Sequence, residues 1–235
     1  MPALGNQPSQ TTEGVPVPEP RVLPEATLMR LTQYLRALNT LANQGLERTS
    51  SGVLADAAGV NPAILRKDLS LLGSYGTRGV GYVVQDLANH INRTLGLNQD
   101  WRVAILGAGN LGRALSGYAG FRSRGFHVKA ILDSSPALIG AAVGELTVRD
   151  SAQLAEVVQE FEINIAVLAV PGEAAQGLVD ELALLGVRSI LSFAPQVIRV
   201  PEGVELRRVD LSTELQILTY HAVRSDGQPG QAQGA

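Results

Sequence analysis

The residues best suited to chemistry are three glycines and a carboxylate. Arg102-Val103-Ala104-Ile105-Leu106 reads as a buried strand and runs straight into Gly107-Ala108-Gly109-Asn110-Leu111-Gly112, a G-x-G-x-x-G turn followed by the helix-prone Arg113-Ala114-Leu115. This is the strand, tight turn and helix opening of a dinucleotide site. Gly107 permits the turn, Gly109 lets the backbone come up against a pyrophosphate, and Gly112 lets the new helix pack closely on the strand. A second strand-like run, His127-Val128-Lys129-Ala130-Ile131-Leu132, ends in Asp133, at about the 20-residue spacing of the carboxylate that accepts hydrogen bonds from the adenosine ribose. A negative charge there repels a 2′-phosphate, so NAD(H) is favoured over NADP(H). With 25 glycines in 235 residues, the same spacing also suits an ordinary strand–turn–helix in which the glycines serve packing and Asp133 caps a turn. The flanking strands and the carboxylate favour the dinucleotide.

A second constellation precedes it. From Glu25 the apolar positions Leu28, Leu31, Leu35, Leu38 and Leu41 recur at helical spacing, with Gly45 closing the helix. Thr49-Ser50-Ser51 offers N-caps for a short helix, Gly52 to Ala58, and Val60-Asn61-Pro62 turns the chain into another, Ala63 to Leu72. A short helix, a glycine-containing turn and a second helix form a helix-turn-helix. On the second of these helices Leu65, Leu69 and Leu72 make one stripe, while Arg66 and Ser70, with Lys67 beside them, make another. A recognition helix needs this division. Arginine bridges a guanine edge bidentately, lysine and serine hold phosphates, and the leucines anchor the helix. Asp68 would repel phosphates from such a face, so it is expected to pair with a basic neighbour and orient it. The glycine-dense stretch Gly73 to Tyr82, carrying Thr77, Arg78 and Gly79, reads as a β-wing that places Arg78 in a minor groove.

These two constellations need two domains, and the rest of the chain supplies them. Residues 1–23, rich in Pro, Gln and Thr, are expected to be a disordered extension, 24–97 a winged-helix DNA-binding domain, 98–223 a Rossmann-like doubly wound parallel sheet, and 224–235 a loose tail. Val83 to Leu97 reads as an amphipathic helix leading to the boundary. Ile163 to Val170, Ser189 to Phe193 and Val204 to Val209 read as further strands, and Ser212 to His221 as a last helix.

Composition narrows the classes. A hydrophobic content of 45% with 17% charged residues is that of a globular chain, and zero cysteines exclude disulfides, thiolate zinc sites and cysteine nucleophiles. No metal is expected. No apolar run approaches a membrane span and the start carries no signal-peptide pattern, so a cytoplasmic protein without membrane attachment is expected. The net charge is −3, yet residues 24–97 are mildly basic, which leaves room for a nucleic-acid partner.

Several motifs now stand in one order: Arg48-Thr49-Ser50-Ser51, Arg66-Lys67-Asp68-Leu69-Ser70, Gly76-Thr77-Arg78-Gly79-Val80-Gly81-Tyr82, the glycine loop, Ala169-Val170-Pro171 with Ala175-Gln176, and Phe193-Ala194-Pro195. In these the chain resembles the Rex family of bacterial redox-sensing transcriptional repressors, from roughly Pro24 to Ala222. The resemblance implies a winged helix joined to a Rossmann domain, a homodimer with exchanged C-terminal helices, and a repressor that holds palindromic operator DNA in the apo or NAD⁺ state until NADH releases it. It implies a DNA-contacting set of Ser50, Arg66, Lys67, Ser70, Thr77, Arg78 and Gly79. It also implies a cofactor site in which Val170, Pro171 and Phe193 join the glycine loop and Asp133. Carried over by position, Tyr118 sits near the nicotinamide, Asp210 reaches the partner subunit's pocket, and Arg36 is its switching partner. A core tyrosine, an N-cap aspartate and a solvated arginine are the alternative readings of those three. Ser135 departs from the family where relatives often carry a second acidic residue, which softens adenosine selectivity.

Two other functions use the same glycine loop. An NAD-dependent dehydrogenase needs an acid/base residue beside its substrate, and His90, His127 and His221 adjoin no motif that would hold one, so no enzyme is expected. A CoA-type nucleotide-binding protein with a helical appendage is the other.

Overall fold

The computed structural model describes residues 23–73 and 81–226. The chain divides into two compact units between Leu95 and Gly96, and each is taken by itself.

The first unit is built on helix α1 (Glu25–Asn43), whose Leu31, Tyr34, Leu38 and Leu41 are buried at successive helical turns. Strand β1 (Arg48–Thr49) leads into α2 (Ser51–Ala58), which Ser50 caps by accepting from Val53 N–H at 3.2 Å and which Gly59 ends in the left-handed region at φ +68°. Asn61 caps α3 (Pro62–Leu72), with Pro62 at its first turn. Beyond it β2 (Tyr82–Val83) pairs antiparallel with β1 and feeds α4 (Val84–Thr94). Leu31, Leu38, Leu54, Leu65, Leu69, Leu87 and Ile91 close one core. A helix-turn-helix flanked by a two-stranded ladder is a winged helix. Helix α4 stops at Thr94, short of the expected Leu97, and Leu95 and Gly96 turn the chain.

The second unit is a seven-stranded sheet. Its strands are β3 (Trp101–Leu106), β4 (Phe126–Asp133), β5 (Ala142–Val143), β6 (Leu146–Asp150), β7 (Ile165–Leu168), β8 (Ser189–Ser192) and β9 (Glu205–Arg208), in the spatial order β5-β6-β4-β3-β7-β8-β9. Every pair is parallel except the β5–β6 edge. The chain winds outward from β3 through β4 to β6, then returns to β7 on the other side of β3, so strand order reverses between β3 and β7. Alternation along the strands loads both faces. Ala104, Leu106, Ala166 and Leu168 meet α7 (Leu154–Glu160) and α8 (Gly172–Leu184), while Val103, Ile105, Ile131 and Val167 share the other face with Leu115 of α5 (Asn110–Ser116). A single turn, α6 (Ala119–Arg122), precedes β4. The last helix, α9 (Leu211–Asp226), runs past the expected His221 and into residues read as tail.

Candidate functional site

Parallel strands carry their following loops to one edge, and at this edge four loops meet. The ladder continues past the strand ends, with Gly107 N–H donating to Leu132 O at 2.8 Å, Ala169 N–H to Leu106 O at 2.8 Å and Phe193 N–H to Leu168 O at 2.9 Å. The glycine loop, the turn after Asp133, Ala169-Val170-Pro171 and Phe193-Ala194-Pro195 are thereby fixed side by side around the reversal point, where open α/β sheets bind ligands.

The three glycines divide their work as the spacing predicts. Gly107 holds φ +103°, and a side chain on it would strike the Ala169 carbonyl. A Cβ on Gly112 would strike the Gly107 carbonyl, so helix and strand approach only because it is absent. Gly109 differs, since a Cβ there would meet no protein atom within 4 Å. Internal packing therefore gives no reason for glycine at this position, and close approach of a ligand backbone gives one.

Asp133 lies at the end of β4 with each oxygen engaged: Oδ2 accepts from Ala108 N–H at 2.7 Å and Oδ1 from Ser135 N–H at 2.8 Å. The turn-capping reading is thus realised, but the residue capped is in the glycine loop itself. A carboxylate oxygen has two lone pairs, so acceptor capacity remains for ribose hydroxyls. Arg113 grips the same residue from the other side, its Nε donating to Ala108 O at 2.8 Å. Val170 and Phe193 are half-buried at this edge, while Pro171 is exposed and stands as the N-cap of α8. Gln176 of α8 pairs with Arg199 as a strand edge would, Oε1 accepting from its N–H at 2.8 Å and Nε2 donating to its carbonyl at 3.0 Å.

Tyr118 lies elsewhere in the chain. It follows α5, a helix of ~10 Å by its length, and so stands at the far end of α5 from the glycine loop. There it packs edge-on against Phe121, ring centroids 5.3 Å apart, in a groove of ≈ 730 Å³ whose floor is Phe126 to Lys129, the amino-terminal half of β4. Asp133 ends that strand on the opposite side. The chain by itself thus does not bring Tyr118 to the carboxyl edge that bears the other expected cofactor residues. Asp210 caps α9: Oδ1 accepts from Ser212 N–H at 3.0 Å and Thr213 N–H at 3.2 Å, and Oδ2 from the Thr213 hydroxyl at 3.0 Å. The Thr213 bonds, backbone first, hold its carboxyl below the usual carboxylate range against slight desolvation.

In the first unit, Arg66, Lys67 and Ser70 are exposed on α3, while Leu65 and Leu69 are buried and Leu72 is half-buried on the other face. Arg66 Nη1 donates to Ser51 Oγ at 3.2 Å, so the start of α2 steadies the arginine. Ser70 Oγ donates to Lys67 O at 2.6 Å, which leaves its lone pairs outward. Arg36 is exposed on α1. Thr77, Arg78 and Gly79 lie outside the described residues, as do residues 1–22 of the expected extension and 227–235 of the tail.

Asp68 does pair with a basic residue, as expected, but its place needs correction. It is 2% exposed and belongs to the buried arc with Leu65 and Leu69, so it does not stand among the cations of the DNA face. Its partners come from α1, not from its own helix. Arg30 forms a two-pronged bridge, Nε to Oδ2 at 2.6 Å and Nη2 to Oδ1 at 2.8 Å, Tyr34 Oη donates to Oδ2 at 2.7 Å, and Thr27 Oγ1 to Oδ1 at 3.1 Å. Burial alone would raise the Asp68 carboxyl. The bonds from Arg30, Tyr34 and Thr27 outweigh it and hold the group below its ordinary value. Burial and the Asp68 bond push the Tyr34 phenol upward. Position 68 falls three after Leu65 and one before Leu69, which places it on the packed side of a helix. The sequence signal was present in that spacing, and in Thr27, Arg30 and Tyr34 sharing one face of α1.

Comparison with known proteins bears on both units. Residues 22–70 match a family model described as "Putative DNA-binding protein N-terminus", and residues 98–196 match the "CoA binding domain" model. The redox-sensing transcriptional repressor Rex of Streptomyces coelicolor is 52% identical over 94% of this chain and 85% of its own length. That of Desulfitobacterium hafniense is 47% identical over 85% of this chain and 95% of its own. Among solved structures, RSP in complex with β-NAD⁺ and operator DNA superposes with a TM-score of 0.83 at 33% identity, covering 88% of this chain and 95% of that one. RSP in complex with β-NADH gives 0.77 at 32% identity, covering 88% and 97%. Identical to one such repressor at 52% of the positions aligned over 94% of its length, the chain belongs to the Rex family.

Proposed function

We propose that this chain is a redox-sensing transcriptional repressor, which binds operator DNA through the winged helix and a nicotinamide dinucleotide at the carboxyl edge of the sheet, and which NADH releases from DNA. The observation that carries the reading is the pairing, in one chain, of an α3 whose Arg66 stands exposed and braced by Ser51 with a glycine loop whose one unexplained glycine is Gly109. Relatives bear on it directly, since RSP is a Rex-family repressor captured with NAD⁺ and operator DNA and, separately, with NADH.

The dinucleotide fits the residues present. Gly107 to Gly112 would cradle its pyrophosphate, Asp133 would accept from the adenosine ribose, and Val170, Pro171 and Phe193, across the β3–β7 reversal, would line the nicotinamide side. The bound cofactor supplies one difference, a nicotinamide ring that is cationic when oxidised and neutral when reduced. A ligand shifts a two-state protein only through unequal affinity for its states. That charge difference, read by Asp210 and answered by Arg36, is the proposed source of inequality. Homodimerisation with exchange of α9 is part of the proposal. Leu211, Leu215, Leu218 and Val223 of α9 are 60–73% exposed, and an apolar groove of ≈ 400 Å³ lined by Val103, Ile165, Val167 and Leu191 opens on the sheet. A second protomer would also give Tyr118 a nicotinamide to meet. No catalysis is assigned: His127 stands at the amino end of β4, beside Asp100, away from the carboxyl edge. No described helix is long and apolar enough to cross a membrane, and the proposed place of action is the cytoplasm, with DNA.

Fluorescence anisotropy on a palindromic A·T-rich duplex, with NADH and NAD⁺ titrated in, tests the whole reading. NADH is expected to release the DNA and NAD⁺ to leave it bound. Arg66→Ala should abolish specific binding, at a cost of ~1–3 kcal/mol for the lost bidentate base contact, with NADH affinity intact. Release by CoA and not by NADH would favour the nucleotide-carrier reading suggested by the second family model.

A further inference from the structure

We infer that Arg113 is a phosphate-binding residue of this chain's dinucleotide site, contacting the pyrophosphate and setting the concentration at which the cofactor acts without deciding which redox form acts. This rests on the dinucleotide reading above and goes beyond the glycine loop and Asp133.

Ala108 is held from two sides, its N–H by Asp133 at 2.7 Å and its carbonyl by Arg113 Nε at 2.8 Å. The first bond places an anion at the ribose side of the loop. The second places a cation within one residue of Gly109, the position left open to an approaching backbone. Arg113 is exposed, and the bond to Ala108 uses only its Nε, so the end-on pair of Nη groups stays available. That pair matches two oxygens of one phosphate in a planar fork.

Its charge is also uncommitted. Arg102 is paired with Asp100 and Glu162, Arg122 with Glu145 and Arg149 with Glu156 and Glu160, whereas Arg113 has no carboxylate within ion-pair distance among the described residues. A fixed, unneutralised guanidinium beside a phosphate loop attracts an anion without first breaking a bridge of its own. Because the bond to the Ala108 carbonyl already restricts the side chain, little rotamer freedom remains to be lost on binding.

The pyrophosphate is identical in NADH and NAD⁺. A contact made equally in both forms, and in both arrangements of the protein, cannot move the equilibrium between those arrangements. It can only set how much cofactor is needed.

The test is calorimetric titration of the full chain and of Arg113→Ala and Arg113→Gln with NADH, NAD⁺, NADPH, ADP-ribose and adenosine, beside an operator-release curve with NADH. Both variants are expected to weaken NADH, NAD⁺ and ADP-ribose by a common factor of roughly ten, the scale of one charge-assisted bond, with adenosine unchanged. Release should shift to higher NADH by that factor and still reach completion. Unchanged NADH and ADP-ribose affinities overturn the inference. So does an equal loss for adenosine, which would make Arg113 a brace of the loop, and so does a loss confined to NADPH, which would place the cation at a 2′-phosphate. A parent chain that binds neither NADH nor ADP-ribose refutes the dinucleotide reading itself, a result distinct from any of these.

Discussion

With both oxygens of Asp133 bonded to backbone, at Ala108 and Ser135, replacing the residue removes more than a ribose contact. Asp133→Ala should lower NADH affinity by tenfold or more, because bonds to a charged acceptor contribute about 1.5–3 kcal/mol each and the loop loses its anchor as well. Asp133→Asn removes the charge and keeps an acceptor for one of the two amides, setting its NH2 against the other. That variant should retain much of the NADH affinity while narrowing its advantage over NADPH. Parallel titrations of both cofactors decide the point, and an undiminished preference in the Asn variant would mean that charge repulsion is not what excludes the 2′-phosphate. The glycines and Asp133 could be picked out from spacing, because a tight turn and a strand end impose fixed intervals on the chain. The partners of Asp133 could not, since a loop amide is invisible in a sequence. The bond between Ser51 and Arg66 is hidden for a similar reason. Thr49-Ser50-Ser51 reads as a run of N-cap candidates, of which Ser50 takes the cap of α2 and Ser51 meets Arg66.

Between elements, the Arg30–Asp68 bridge with Tyr34 and Thr27 fastens α3 to α1. Asp68→Asn should destabilise the winged helix by about 3 kcal/mol, the scale for breaking a buried pair, somewhat reduced because Arg30 is 28% exposed and can turn to water. The pH dependence has a definite sign. A carboxyl held below its ordinary value of 3.8 in the folded unit contributes stability that is complete above that value and is lost as pH falls through the lower folded value. Thermal melts followed by circular dichroism from neutral pH downward should therefore show the gap between parent and variant closing only in acid. A gap independent of pH would remove the charge from the account. The helices of this unit were legible because burial of one face imposes a 3.6-residue period. The β5–β6 hairpin was not, since Leu146-Thr147-Val148-Arg149-Asp150 has only Val148 buried and offers no apolar run. The overrun of α9 past His221 has the same origin: a helix with exposed leucines gives no face from which to read its end.

For the molecule as a whole, the proposed switch rests on Asp210, and its structural duty complicates the obvious experiment. Asp210→Ala would remove the cap of α9 along with the charge. Asp210→Asn keeps a good N-cap and removes the charge alone. At saturating NADH and equal cofactor occupancy, the Asn variant should release operator DNA incompletely in an anisotropy titration, while α9 retains its helicity. Release as complete as in the parent would take Asp210 out of the switch. No sequence pattern joins Asp210 to Arg36, which belong to different units, and the pairing came from family resemblance alone. The doubly wound order of the sheet, by contrast, followed from alternating strands and helices, whose handed crossovers leave few arrangements.

The Gln176 clamp on Arg199 bears on how such a signal could travel. Between β8 and β9 the chain runs through Phe193 to Val204 without regular structure, and a free tether of that length would transmit slack, not displacement. Stapled midway to α8, it becomes two short leashes. A shift of Phe193 along this connection meets the clamp at Arg199, so the stiff link from β8 to β9 is the hydrogen-bonded ladder between them, continued by Val209 N–H on Ser192 O. News of the cofactor would then reach α9 across the sheet, rung by rung, and not by a pull along the connecting backbone.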